Sequence, residues 1–283
     1  MDSSSALNIV LPVLIALAVA RRGFRVDEDY MVRWANSAGL ELTNENRPVV
    51  RRYLLWSRRS RTAGGLAGVL LPTIYVRLTA PDSEPDGWIF VLMIVGYLLG
   101  ALFAELVVNR PWRRRQPDQP DPRSLKEYLP AYVLVLQRGL TILIPIFVIA
   151  YALLAPHSDA SRLHPGLIAA LGFYGVCIAI FVEWIQRIIV SRRTPPGLSG
   201  DEAVADAMKA SSVRVVAGAG LALLLNVVGP LALALLTLAG PTANVVAIGL
   251  MFVLFPASIV LWLHLGKPQG VKVDKPLAKE KKI

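Results

Sequence analysis

Long apolar runs separated by short polar stretches are what most restrict how this chain folds. A helix rises 1.5 Å per residue, so about 20 apolar residues cross the hydrocarbon core of a bilayer. Runs of that order lie at about 62–78, 88–108, 131–155, 166–190, 213–240 and 243–265, and a shorter one at 6–20 precedes them. Of the 283 residues 54% are hydrophobic and 18% charged, whereas soluble domains carry roughly 45–50% and about 25%. The expected fold class is all-α: a polytopic transmembrane helical bundle of about seven spans, an N-terminal anchor followed by three helical hairpins. Pro12, Pro72, Pro145, Pro230 and Pro256 fall inside these runs, which is tolerable where neighbouring helices satisfy the freed carbonyls.

The polar stretches alternate in charge. The stretch between the first two runs is arginine-rich and includes Arg51, Arg52, Arg58 and Arg59. Arg113, Arg114 and Arg115 lie between the third and fourth runs, Arg192 and Arg193 between the fifth and sixth, and lysines fill the tail. The other connections are not basic: 79–87 carries Asp82, Glu84 and Asp86, 156–165 has one arginine, and the turn at Gly240-Pro241 has none. Short basic loops stay in the cytoplasm. Seven spans with the N-terminus outside and the C-terminus cytoplasmic satisfy every connection at once, in a plasma membrane. Ala18-Val19-Ala20 resembles a signal-peptidase site, but Asp2 precedes the run and Arg21, Arg22 and Arg25 follow it, the wrong polarity for a cleaved signal. Cleavage would leave six spans without changing the rest.

The net charge of +10 is thus spread over loops beside the bilayer. It points to membrane lipids, including anionic headgroups, as contacts of Arg51, Arg52, Arg58, Arg59, Arg113, Arg114 and Arg115, and away from nucleic acid. The expected organisation is an anchor (1–20), a basic cytoplasmic helical segment (21–61), a six-helix bundle (hairpins 62–108, 131–190 and 213–265), and a Lys-rich cytoplasmic tail without fixed structure (266–283). Asp27 and Gly39 are placed to begin and end one helix of the basic segment, and Thr43 to cap a second. The second carries Val49, Val50, Tyr53, Leu54 and Trp56 among its arginines, a pattern suited to lying on headgroups before the chain turns into the bilayer.

The first two hairpins share a pattern. One runs from Arg61 to Glu105, the other from Arg138 to Glu183, with Gly64-Gly65 and Pro72 in the first matched by Gly139 and Pro145 in the second. The third, which begins near Arg214, matches less well. Glu105, Arg138, Glu183 and Arg187 are the ionisable residues closest to membrane depth, all near cytoplasmic ends, where the cost of burial falls. Two readings stand beside each other: ion pairs that pin the base of each hairpin, or a polar vestibule for an ion, proton or substrate. The first expects Glu105 to meet Arg61, and Glu183 to meet Arg187 at i, i+4 or Arg138 across the hairpin.

Small residues recur at Gly64 and Gly68 and at Gly96, Gly100 and Ala104, faces that permit close helix approach within the bundle or between two copies of the chain. Asn226 is expected to donate between helices, and Cys177 to fill space in the packing. His157, His164 and His264 match no metal-ligand spacing, and no cofactor, metal or catalytic motif stands out.

The stretch Trp34-Ala35, Gly39-Leu40-Glu41-Leu42-Thr43, Asn46-Arg47-Pro48, Tyr53-Leu54 and Arg61-Thr62-Ala63-Gly64 resembles a segment of uncharacterised multi-pass membrane proteins of high-GC actinobacteria. That resemblance covers about a fifth of the chain; it implies a bacterial inner membrane and carries no activity. The functional expectation is a non-enzymatic accessory or scaffolding membrane protein, with a protein partner or a second copy as further candidate contacts. The alternative is a small transporter or permease; a membrane-embedded enzyme has the least support.

Overall fold

A computed structural model describes residues 25–79, 88–107, 124–157, 164–191 and 202–266. Every regular element among them is helical: α1 (Glu28–Ala38), α2 (Arg47–Thr79), α3 (Trp88–Val107), α4 (Leu125–Tyr128), α5 (Ala131–Leu154), α6 (Pro165–Ser191), α7 (Glu202–Thr237) and α8 (Pro241–Leu265), with a 3-10 turn at Ala155–His157. The all-α expectation holds. The run at 6–20, the loop with Arg113, Arg114 and Arg115, and the Lys-rich tail lie outside the described residues.

Local chemistry sets the helix ends. Gly39 terminates α1 with φ of 70°, and Leu40 N–H donates back to the Ala35 carbonyl at 2.9 Å. Asp27 stands at the N-cap of α1, but its side chain makes no capping hydrogen bond. Thr43 and Asn46 cap each other's backbone: Thr43 N–H donates to Asn46 Oδ1 at 2.9 Å and Asn46 N–H to Thr43 Oγ1 at 3.3 Å. Pro48 follows in the first turn of α2, where its missing N–H costs nothing.

α2 differs from its expectation. The basic helix does not turn at the bilayer but runs unbroken into the apolar stretch, 33 residues and so about 50 Å in all. No glycine or proline lies between Val49 and Ala63 to bend it. Its apolar face is not laid on headgroups either. Val50, Tyr53 and Leu54 join Met31, Trp34 and Ala35 of α1 and Val204, Ala207 and Met208 of α7 in a small core of their own.

Among the described residues three helices are long and apolar enough to cross a membrane: α5, α6 and, from Ala203, α7; shorter apolar stretches lie at Leu92–Val107 and Phe252–Leu265. α7 is the axis. It is apolar all round over its middle, and Val213, Val215, Ala219, Leu221, Ala222 and Leu223 on its several sides are all buried. α3, α5, α6 and α8 pack around it. The outer helices turn large apolar side chains outward, among them Ile142 and Ile149 of α5, Phe173 and Ile180 of α6, and Phe252 and Val260 of α8. Cys177, expected in the packing, is exposed on that outer surface.

The long helices run alternately up and down. Gly64 faces Gly96 and Gly100, and Gly68 faces Leu92, so α2 and α3 are antiparallel. A Cβ on Gly64 would overlap the Gly96 carbonyl, and one on Gly100 the Ser60 carbonyl. The two small faces therefore meet each other. Gly172 lies against Val148 and Gly175 against Ile144, which makes α5 and α6 antiparallel. Gly218 on Trp262 and Asn226 on Ser258 do the same for α7 and α8. The middle hairpin is the loosest: α5 and α6 each pack more on α7 than on one another.

Candidate functional site

One cluster of buried polar side chains joins five helices at the Arg-rich end of the bundle. Its centre is Glu105, in the last turn of α3 and 0% exposed. Ser212 of α7 donates its hydroxyl to Glu105 Oε2 at 2.6 Å, and Ser57 of α2 donates to Oε1 at 3.3 Å. Arg61, one turn beyond Ser57, lies 3.8 Å from the same Oε1 and donates to Ser57 Oγ at 2.8 Å. Tyr53 OH is 3.1 Å from Ser212 Oγ. Ser212 gives its proton to Glu105, so the phenol donates in this pair. Burial, reinforced by the negative charge of Glu105, raises the Tyr53 pKa and keeps it a neutral donor.

The outer ring ties in the remaining elements. Trp34 Nε1 of α1 donates to Ser211 Oγ at 3.4 Å, and the Arg61 guanidinium stands 5.3 Å from the ring centre of Trp262 on α8. Beside the cluster is a cavity of about 30 Å³ bordered by Trp34, Tyr53, Ser57 and Arg61. It has room for a water molecule, and Arg61 Nε, buried without a protein partner, is the group such a water would meet. A carboxylate accepting from a serine is also the geometry of an activated nucleophile. Here neither group offers a surface to a substrate, since Ser212 is 2% exposed and Glu105 fully buried.

Arg61 and Glu105 thus meet as the hairpin repeat implies, and so do Glu183 and Arg187, at 2.6 Å. The second pair is of a different kind, because both side chains lie open on the outside of α6, 47% and 73% exposed. Arg138 is exposed and does not reach Glu183. The buried stripe of α5 runs Val133, Gln137, Leu140, Ile144, and residue 138 sits about 100° off it. Gln137 takes the inward position instead. It pairs with Gln186 of α6 through reciprocal amide hydrogen bonds of 3.4 and 3.1 Å, both residues buried.

Sequence reasoning missed this glutamine pair, although a glutamine on an apolar i, i+4 stripe was the available signal. It also missed Ser57, Ser211 and Ser212. Asn226 donates to Ser258 Oγ between α7 and α8 at 3.2 Å, as expected. His164 Nδ1 accepts from Gly166 N–H at the start of α6, and His264 is exposed. Among the described residues no three His, Cys, Asp or Glu side chains are grouped to hold a metal.

Of the arginines expected at lipid, Arg51, Arg52 and Arg59 are exposed on α2. Arg58 is turned to protein: it donates to the Arg25 carbonyl at 2.7 Å and stacks 4.3 Å from the Tyr30 ring centre. Comparison with family models, with curated proteins and with solved structures finds no match.

Proposed function

We propose that this chain is a multi-pass plasma-membrane protein of the bacterial inner membrane, with about seven spans, its N-terminus outside and its C-terminus cytoplasmic. Its role in this reading is non-enzymatic: an accessory or scaffolding protein whose cytoplasmic face is held rigidly on a membrane bundle. The observation that carries the reading is the Glu105 cluster. It locks α1 and the arginine-bearing half of α2 to α3, α7 and α8, and its polar groups are directed at one another. Such a lock gives a cytoplasmic surface a fixed position relative to the bilayer. Apolar side chains facing outward on α5, α6 and α8 support the membrane setting, because a soluble surface rarely exposes so much contiguous apolar area.

The alternative, a small transporter, draws on the cavity beside Arg61 and the buried carboxylate next to it. Glu105→Gln separates the two readings. The chain is purified in mild detergent from its own cells, and the variant is also placed in proteoliposomes. A stoichiometric cytoplasmic partner that wild type retains and the variant loses supports the scaffold. A variant that stays folded but abolishes a proton or ion flux seen with wild type overturns it.

A further inference from the structure

The cytoplasmic half of α2 buries one face and leaves the other uncovered among the described residues. On the open face lie Arg51, Arg52, Leu55, Trp56 and Arg59, and Trp56 is 47% exposed. Together with Met31 of α1 they border an open groove of about 450 Å³. Its one acidic residue, Glu28, is engaged by Arg47 at 3.3 Å. Among the described residues Arg51, Arg52 and Arg59 take part in no ion pair, so the groove carries an uncompensated positive charge.

Because α2 is unbroken, this groove continues into the apolar region. Arg52, Trp56, Arg59, Ala63 and Ala67 recur at spacings of four, three, four and four, and so follow one side of the helix. Where the arginines end a second furrow begins, about 550 Å³ in volume, between α2 and α3. Its sides are apolar and open outward: Leu71 of α2, and Leu92, Leu99 and Phe103 of α3. From Ser60 to Pro72 it extends along the helix for about 18 Å, close to half of a hydrocarbon core about 30 Å thick. A furrow of one leaflet's depth, with a basic, tryptophan-walled groove at its cytoplasmic mouth, has the shape and charge of a phospholipid in that leaflet.

We propose that the α1–α2 groove and the α2–α3 furrow together form a binding site for one anionic phospholipid of the cytoplasmic leaflet. Arg59, at the mouth of the furrow, takes the phosphate. Arg52, two turns further out, takes the rest of the headgroup, with the Trp56 ring as the wall between them, and one acyl chain fills the furrow. This assignment rests on the membrane reading above. It differs from diffuse attraction to an anionic surface in naming two arginines out of many and in requiring the furrow.

The test uses the full chain in vesicles and electron spin resonance of spin-labelled phosphatidylglycerol and phosphatidylcholine. The readout is the motionally restricted fraction of each. An arginine near an anionic surface contributes about fivefold in association, so wild type should prefer phosphatidylglycerol by at least that factor. Arg52→Gln with Arg59→Gln should bring the two lipids to parity. Arg33→Gln with Arg138→Gln removes the same charge at exposed positions outside the groove and furrow and should leave the preference within twofold. Ala67→Phe, which blocks the furrow, should lower the restricted fraction of both lipids. Equal association in wild type, an unchanged preference in the Arg52/Arg59 variant, or an equal loss in the Arg33/Arg138 control overturns the site. A protein that does not float with the vesicles overturns the membrane reading instead.

Discussion

At the residue scale, the four ionisable side chains near membrane depth separate by burial. Glu105 is wholly enclosed and held by two serines and an arginine, while Glu183 and Arg187 pair in the open. Removing one member of a buried pair leaves the other charged and unsolvated, whereas an exposed i, i+4 pair contributes a few tenths of a kcal/mol. Glu105→Ala should therefore lower stability by about 3 kcal/mol or more, and Glu183→Ala by less than about 0.5 kcal/mol. Denaturant unfolding in detergent, followed by tryptophan fluorescence, measures both, and comparable losses would contradict the distinction. The Arg61–Glu105 contact was legible because two hairpins place an arginine and a glutamate at nearly equal separations. The serines around it were not, since α7 as a whole has no amphipathic periodicity to show which way Ser211 and Ser212 face. Arg138 misled for a related reason: the repeat matched residue types, but the hairpin selects by helical angle, and angle favours Gln137.

At the element scale, helix positions were readable from apolar runs and caps, and α3, α5 and α6 begin and end within a residue or two of the runs that suggested them. The partner of each face was less readable. An amphipathic basic helix has the same pattern whether its apolar side rests on lipid or on protein. Here the first turns of α7, beyond its most apolar stretch, supply Val204, Ala207 and Met208 to cover it. Glycine gives the sharpest prediction at this scale. Gly96 has the Gly64 carbonyl and the Gly68 backbone directly over it, with no flexible side chain to yield, while Gly139 has nothing within 4 Å. Gly96→Leu must force α2 and α3 apart and should cost about 1–3 kcal/mol or more. Gly139→Ala fills empty space on an exposed helix face and should add about 0.5–1 kcal/mol. Thermal unfolding of the two variants should shift in opposite directions; shifts of the same sign would mean that the glycine contact does not hold the hairpin.

At the scale of the whole molecule, the alternation of the six long helices carries a consequence for topology that does not depend on any loop. Glu105 ends α3, Gln186 is near the end of α6 and Trp262 near the end of α8, while Ser57, Gln137 and Ser212 lie in the first halves of α2, α5 and α7. The contacts among them gather three helix starts and three helix ends at one pole, the pole that also carries the exposed arginines of α2. Packing shows which helix ends lie together, and the basic loops are attached to those same ends. In the proposed topology that pole lies on the cytoplasmic side, because short basic segments are retained there. Reporter fusions within 82–86 and within 158–163 should accordingly be active only outside, and fusions within 113–115 and after residue 266 only inside. An insertion at 113–115 that reports outside would invert the proposed orientation of the whole bundle, whatever the number of N-terminal spans. An N-terminal tag lost from the mature chain would instead revise only the count, from seven spans to six, and leave the bundle and its Glu105 lock where they are.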